Sequence, residues 1–199
     1  MTEQIGFFDL VITGTSQSVQ AAISKGADVN FLGYGGRTPL MAAANSNQNP
    51  EVITTLLKAG ADLKAQDKYG RSPLMAAARD NQNPEVIATL LKAGADLMVQ
   101  DSYGGTALMF AARYNQNPEV ITTLLKAGAD LKARDKYGRS PLMASAQDNQ
   151  NPEVIVILLK AGADGKAKSS AGKTAFDYAQ GNAKLKGTDA YRELEEASK

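Results

Sequence analysis

The sequence has no cysteine, no histidine and no tryptophan among its 199 residues. Without a thiol or an imidazole, the chain cannot form a disulfide, a Cys- or His-ligated metal site, a Ser-His-Asp triad or a Cys-His dyad. Carboxylates, lysines, tyrosines and serines remain for catalysis, and they form no general-base constellation or cofactor motif. We therefore predict that the protein is not an enzyme and that it has no catalytic residues, no cofactor and no metal site.

Neither sign of charge is in excess, and long apolar runs are absent. Lys and Arg number 22 against 21 Asp and Glu, so a charge-driven partner must meet a local patch. No apolar run approaches the roughly 18 residues of a membrane span, so we expect no membrane partner. The N-terminus lacks the basic segment of a signal peptide. We expect a cytoplasmic protein if the chain is complete, and an exported one if a signal peptide has been removed.

The sequence does contain one motif repeated at a fixed spacing. The tripeptide Gly-Ala-Asp begins at Gly26 and recurs every 34 residues up to Gly162. The phrase NQNPEVI and variants of GRSPLMAAA follow the same period, and residues 67–100 match residues 135–168 at 26 of 34 positions. Such a period is typical of repeat proteins, in which each unit buries its apolar face against its neighbours.

The sequence of each unit predicts two short antiparallel helices followed by a loop. Thr38 is an expected N-cap, with Pro39 at the first helical position. Asn49 and Pro50 repeat the arrangement before the second helix, whose apolar residues share one face. That helix is expected to end at Gly60, a residue suited to a left-handed position after a helix.

These phrases together resemble the ankyrin repeat. T-P-L-x-x-A-A is followed by V-x-x-x-L-L-x-x-G-A-D and a glycine-containing loop over essentially the whole chain. Two features depart from the family: methionine replaces its usual histidine after T-P-L, and a longer turn gives 34 residues where the family has about 33. The resemblance implies an all-α ankyrin-repeat solenoid of stacked helix-turn-helix units with projecting β-hairpin-like loops.

We expect a single ankyrin-repeat domain over residues 1–199. Four full repeats span 33–66, 67–100, 101–134 and 135–168. Residues 1–32 lack T-P-L and place Phe7 and Phe8 where a capping repeat would seal the stack. Residues 169–199 form the other capping repeat, which ends in a helix from about Thr188.

The resemblance also implies a binding surface. In ankyrin proteins the loop tips and the exposed side of the first helix form a concave face. Here the predicted partner-facing positions at and beside the tips, which leave out the aspartates, include no acidic residue and eight basic ones: Arg37, Lys68, Arg71, Arg134, Lys136, Arg139, Lys168 and Lys173. Tyrosine and arginine are common interface hot spots. The third repeat also departs from its sisters on the first helix. The predicted partner-binding residues are Tyr34, Arg37, Lys68, Tyr69, Arg71, Tyr103, Phe110, Arg113, Tyr114, Lys136, Tyr137 and Arg139.

Several of these features have a purely structural interpretation. The tyrosines could pack between loops, the basic residues could pair with Asp67, Asp101 and Asp135, and Phe110 could fill space left by small neighbours. The repeated methionines are expected in the core. The N-Q-N-P turns predict helix caps and an amide ladder between repeats, and the aspartate of each Gly-Ala-Asp predicts a loop brace. The AGKT sequence at 171–174 follows the repeat register and lacks the first glycine of a phosphate-binding loop.

The sequence thus favours a monomeric, noncatalytic module that binds a protein with an acidic or mixed surface through its concave face. One alternative is a structural or consensus-like scaffold with no dedicated partner, which the near-identity of the second and fourth repeats favours. Another is weak binding of an anionic ligand or nucleic acid through the basic tips, which the low net charge disfavours.

Overall fold

The computed structural model describes residues 2–199, with side chains described from residue 6 onward, so residue 1 of the expected first capping repeat lies outside it. Over these residues the chain forms α-helices, one short 3-10 helix at Tyr34–Gly36 and no β-strand. The α-helices are α1 Thr2–Thr13, α2 Ser16–Ser24, α3 Pro39–Ser46, α4 Pro50–Lys58, α5 Pro73–Asp80, α6 Pro84–Lys92, α7 Ala107–Tyr114, α8 Pro118–Lys126, α9 Pro141–Asp148, α10 Pro152–Lys160, α11 Ala175–Ala179 and α12 Asp189–Ala197.

The helices begin and end at the residues that capping chemistry predicts. The backbone N–H of Met41 donates to Thr38 Oγ1 at 3.2 Å, and that of Glu51 donates to Asn49 Oδ1 at 2.9 Å. Gly60 follows α4 with a φ of 89°, which favours glycine. Helices of eight or nine residues are marginal in isolation, so packing must stabilise them.

The helix pairs stack into two layers, which confirms the predicted all-α solenoid. Each first helix packs on the first helices of its neighbours, as α5 does on α3 and α7, and the second helices form the other layer. The repeated methionines are at most 6% exposed, as expected of core residues. None of the described helices combines the length and apolar character needed to cross a bilayer.

A ladder of buried asparagines joins one repeat to the next. Asn81 Nδ2 donates to the carbonyls of Ala44 and Asn47, both at 2.9 Å, and its Oδ1 accepts the N–H of Asn83 at 2.9 Å. The same three bonds recur at Asn115 and Asn149. At the two ends, Asn47 bonds to Val11 and Gly14, and Asn182 bonds to Ala146 and Asn149. The expected amide ladder is therefore confirmed.

The ladder joins the same turn of successive units. The bond from Asn115 to the carbonyl of Asn81 links residues 34 positions apart. At the two ends the equivalent bonds, from Asn47 to Gly14 and from Asn182 to Asn149, link residues 33 positions apart, so the ladder fixes the alignment of the turns and accommodates a unit that is one residue shorter.

A second ladder holds the loop tips in register. The tips are residues 33–37, 67–71, 101–105, 135–139 and 169–173. Each is closed by a backbone bond such as that from Asp67 N–H to the Arg71 carbonyl at 3.1 Å. Ser102 N–H donates to the Tyr69 carbonyl and Lys136 N–H to the Tyr103 carbonyl, both at 2.8 Å. The tips are hairpin-like in their closure, without strands, and they form a regular row.

We predict that removing one ladder asparagine destabilises the protein strongly. Asn115→Ala leaves the buried carbonyls of Ala78 and Asn81 without their donor, so the free energy of unfolding should fall by about 2–4 kcal/mol. Urea denaturation followed by circular dichroism measures the change. The matched control is Gln116→Ala in the same turn, where the side chain is exposed and the loss should stay below about 0.5 kcal/mol. Equal losses would contradict the role assigned to the ladder.

Candidate partner-binding groove

A groove of about 970 Å³ opens between the loop tips and the first helices α7 and α9. Its position follows from the two ladders, which align the tips beside the first-helix layer. Residues of the second helices do not line it. The predicted binding residues that do line the groove are Tyr69, Arg71, Tyr103, Phe110, Arg113, Tyr114, Tyr137 and Arg139.

The remaining four predicted residues lie outside the groove. Tyr34 is 91% exposed on the first tip, and Arg37 lines a separate hollow of about 90 Å³. Lys68 and Lys136 are exposed on their tips. Lys136 Nζ lies 3.6 Å from the centre of the Tyr103 ring and Lys68 Nζ 4.9 Å from that of Tyr69, so both lysines contact rings that line the groove.

Sequence reasoning missed one wall of the groove. Tyr178 on α11 lines it, and its hydroxyl donates to Ser169 Oγ at 3.0 Å. Tyr178 lies two periods after Phe110 and so holds the same register position, whereas Ala144 holds that position in the repeat between them. Phe110 and Tyr178 therefore lie on either side of Ala144. Because the Ala144 side chain is only a methyl group, the volume that a larger side chain would fill there is part of the groove. The signal was present in the sequence, but the divergent capping unit obscured it.

Two tips share a tightly bonded aspartate, tyrosine and arginine. Arg71 Nε donates to Asp67 Oδ2 at 2.8 Å and Nη2 lies 2.7 Å from the same oxygen, while the guanidinium lies 4.9 Å from the centre of the Tyr69 ring. The fourth tip repeats this geometry, with Arg139 Nε donating to Asp135 Oδ2 at 2.7 Å and Nη2 at 2.7 Å from it. In these two tips the predicted structural pairing of arginine with aspartate is present.

The pKa of Asp67 reflects this pairing. Burial alone would raise the pKa of the carboxyl group, but the side-chain bond from Arg71, the backbone N–H groups of Arg71 and Tyr69, and the charge of Arg71 outweigh it and hold the pKa below its usual value. The carboxylate is thus favoured in its charged form by the loop that it closes.

The third tip lacks the arginine. Gly105 stands at the register position of Arg71 and Arg139. Asp101 Oδ1 still accepts the N–H groups of Tyr103 and Gly105, at 2.9 and 2.7 Å, so the loop closes as its sisters do. Among the described residues, however, no arginine or lysine forms an ion pair with Asp101, which lines the groove.

Phe110 packs against this tip. A Cβ atom placed on Gly105 would lie 3.3 Å from Phe110 Cε2, so the ring does fill space beside the glycine. The same ring lines the groove. The structural and the binding interpretations of Phe110 are therefore compatible.

Tyr114 is held by cations on α5 and α7. The guanidinium groups of Arg79 and Arg113 each lie 5.0 Å from the centre of its ring. Arg113 also donates through Nε to Asp148 Oδ2 at 2.5 Å. These contacts restrain Tyr114 beside Phe110, whose ring centre is 6.4 Å away.

A family model described as Ankyrin repeats (3 copies) matches the chain over residues 9–101, 41–135 and 108–187. The chain belongs to the ankyrin-repeat family. Ankyrin repeats generally serve as protein-interaction modules, and the family is typically noncatalytic. A search of curated proteins finds no match to this chain.

Two smaller features of this ankyrin array have the structural roles expected of them. The aspartates of Gly-Ala-Asp brace their loops, as where Asp62 Oδ1 accepts the N–H of Lys64 at 2.8 Å. Thr174 caps α11 by accepting the N–H of Asp177 at 3.2 Å, so the AGKT sequence serves the repeat. Within the described part of the chain, no group of three or more carboxylates is placed to hold a metal ion.

We predict that the Asp67 carboxylate stabilises the array in a pH-dependent way. Because its pKa is lowered by folding, its contribution is complete above the unfolded-state value of about 3.9 and is lost as the pH falls through the lower folded value. Asp67→Asn should therefore lower the free energy of unfolding by about 1–2 kcal/mol at pH 7, and the difference from wild type should shrink below about pH 4. Urea denaturation at several pH values measures both.

The control for this prediction is Asp101→Asn in the tip without an arginine. Its loss at pH 7 should be smaller than that of Asp67→Asn, because no ion pair is broken. An equal loss at both positions, or a loss at Asp67 that is the same at pH 7 and pH 2.5, would contradict the assignment.

Proposed function

We propose that this ankyrin-repeat protein is a noncatalytic module that binds a protein partner through its concave face. The binding surface is the groove together with the neighbouring tips, centred on the third repeat. The observation that carries the proposal is that the repeats diverge where they line the groove. Phe110, Tyr114 and Gly105 depart from their sister residues there, while the ladder asparagines stay the same.

The exposed rings are suited to binding. Tyr69, Tyr103 and Tyr137 are 41–51% exposed and follow one another along the row of tips. Cations already restrain them: Lys136 lies over the rings of Tyr103 and Tyr137, and Lys68 over that of Tyr69. Restrained rings lose little conformational entropy on binding, which favours affinity. Aromatic and arginine side chains are also the types enriched among interface hot spots.

The charges of the groove favour a partner with a mixed surface. Arg71 and Arg139 are neutralised by aspartates of their own tips, whereas Lys68 and Lys136 are exposed and can meet acidic groups. The internal pairing also weakens the case for nucleic acid, because paired arginines release fewer counterions on binding phosphates. We propose that the protein acts as a monomer.

We predict that a partner captured by the wild type depends on the groove. The partner is isolated on immobilised protein from a lysate of the source cells and then titrated by calorimetry. The variant Tyr103→Ala/Phe110→Ala/Tyr137→Ala removes three groove rings, and it should weaken binding at least about tenfold because hot-spot truncations each cost on the order of 1–2 kcal/mol. Circular dichroism checks that the variant folds.

The matched control changes the outer layer of helices. Lys58→Ala/Lys92→Ala/Lys126→Ala truncates three exposed side chains at the ends of α4, α6 and α8, away from the groove. Affinity within about twofold of wild type is expected, since residues outside an interface contribute little. Equal weakening by both variants would contradict binding through the concave face. Capture of nothing specific would favour the scaffold alternative, which the near-identity of residues 67–100 and 135–168 supports.

A further inference from the structure

Two tips of the array show how this protein holds an arginine side chain. In the second and fourth tips, an arginine donates through Nε to one aspartate oxygen, places Nη2 2.7 Å from the same oxygen, and lies over the tyrosine two residues after that aspartate. The centre of the tyrosine ring lies 4.9 Å from the guanidinium carbon in both tips. A carboxylate and a tyrosine ring at this spacing therefore bind a guanidinium group in this protein.

The third tip keeps the aspartate and the tyrosine, but Gly105 replaces the arginine and Ser102 replaces the lysine. Asp101 is fixed by the N–H groups of Tyr103 and Gly105, as Asp67 is fixed by those of Tyr69 and Arg71. These bonds use Oδ1, which is the atom used in the sister tips as well. Asp101, Tyr103 and Gly105 all line the groove. The position that an arginine side chain fills in the sister tips is bounded here by the Phe110 ring and borders the groove.

The other arginines that line the groove are already engaged. Arg71 pairs with Asp67, Arg113 with Asp148 and Arg139 with Asp135. Arg139 Nη1 also donates to Gln147 Oε1 at 3.1 Å. Lys136 lies over the Tyr103 ring, and none of the ion pairs among the described residues joins it to Asp101. The groove thus presents one carboxylate whose cationic counterpart is not supplied by the neighbouring side chains.

We propose that the partner supplies this counterpart: an arginine side chain of the bound protein inserts at the third tip, pairs with Asp101 and stacks on Tyr103. The inference rests on the proposed function and specifies the chemistry of its partner. The occupant is an exposed segment of a protein, because the groove of about 970 Å³ is much larger than one side chain and has room for the residues on either side of the arginine.

Arginine fits this site better than lysine. Its planar guanidinium can donate two parallel hydrogen bonds to a carboxylate and can stack on an aromatic ring, whereas an ammonium group acts as a point charge. Tyr103 and Phe110 both line the groove near Asp101, so the arginine stem would also contact apolar surface. The site therefore selects for the geometry of the guanidinium as well as for its charge.

The test uses three peptides that differ at one position. The probe is acetyl-Gly-Ser-Gly-Arg-Gly-Ser-Gly-amide, compared with the same peptide carrying lysine or the neutral arginine isostere citrulline. Each is titrated into the ¹⁵N-labelled full chain, and the amide signals of Tyr103 and Gly105 are followed because both N–H groups donate to Asp101. We expect saturable shifts with the arginine peptide, weaker binding of the lysine peptide and no saturable shift with citrulline.

Two variants assign the effect to the third tip. Asp101→Asn removes the charge while its Oδ1 can still accept both loop N–H groups, and it should weaken the arginine peptide by at least about fivefold. Gly105→Arg/Phe110→Ala restores the arginine and alanine found in the second and fourth repeats, so the chain's own arginine should occupy the site and abolish binding. Equal shifts with arginine and citrulline, no saturable shift with arginine, or unchanged binding to Asp101→Asn would each overturn the proposal.

Measuring how the captured protein partner binds to the variants distinguishes failure of this proposal from failure of the proposed function. If a captured partner is lost on removal of the three groove rings but binds Asp101→Asn as tightly as wild type, the groove binds proteins and the arginine assignment is wrong. If the arginine peptide binds as expected but the partner is insensitive to removal of the rings, the third tip is an arginine site and the concave-face function is wrong.

Discussion

The amide group of a buried asparagine, repeated once per unit, is the interaction on which the rest of this structure depends. Asn81, Asn115 and Asn149 each donate twice to the preceding unit and accept once within their own turn. An amide buried with these bonds satisfied stabilises the stack, and the same amide with one bond missing would destabilise it. This asymmetry holds the turns of successive units in register and so aligns the helices and tips.

A fixed framework allows the tips to change without disturbing the fold. The third tip closes through the same backbone and Asp101 bonds as its neighbours, although lysine and arginine are replaced by Ser102 and Gly105. The stacking bonds between tips use backbone atoms, so they survive these replacements. Specialisation at one repeat therefore alters charge and shape in the groove, while nearest-neighbour stability is preserved, as expected of a solenoid.

The parts of this account that could be predicted from sequence are those governed by local chemistry. Capping by Thr38 and Asn49 depends on neighbouring residues, and the central ladder asparagines stand in the repeated NQNPEVI phrase, so both can be predicted from the sequence. The pairing of Arg71 and Arg139 with aspartates depends on how each tip folds. Because these two arginines are paired within their own tips, the number of basic tip residues overstates the positive charge that a partner can contact. The role of Tyr178 depends on its place beside Ala144, which became visible once α11 was seen to continue the first-helix layer.

The asparagine ladder carries the fold, and the proposed binding depends on the departures of the third repeat. The most direct test is a chain in which residues 101–134 are replaced by the sequence of residues 67–100, which contains the same ladder asparagine. Its unfolding and its affinity for the captured partner are measured beside the original. The account predicts the same helical content, a free energy of unfolding at least as large, and loss of partner binding. Partner binding as tight as that of the original chain, or failure of the replaced chain to fold, would contradict it.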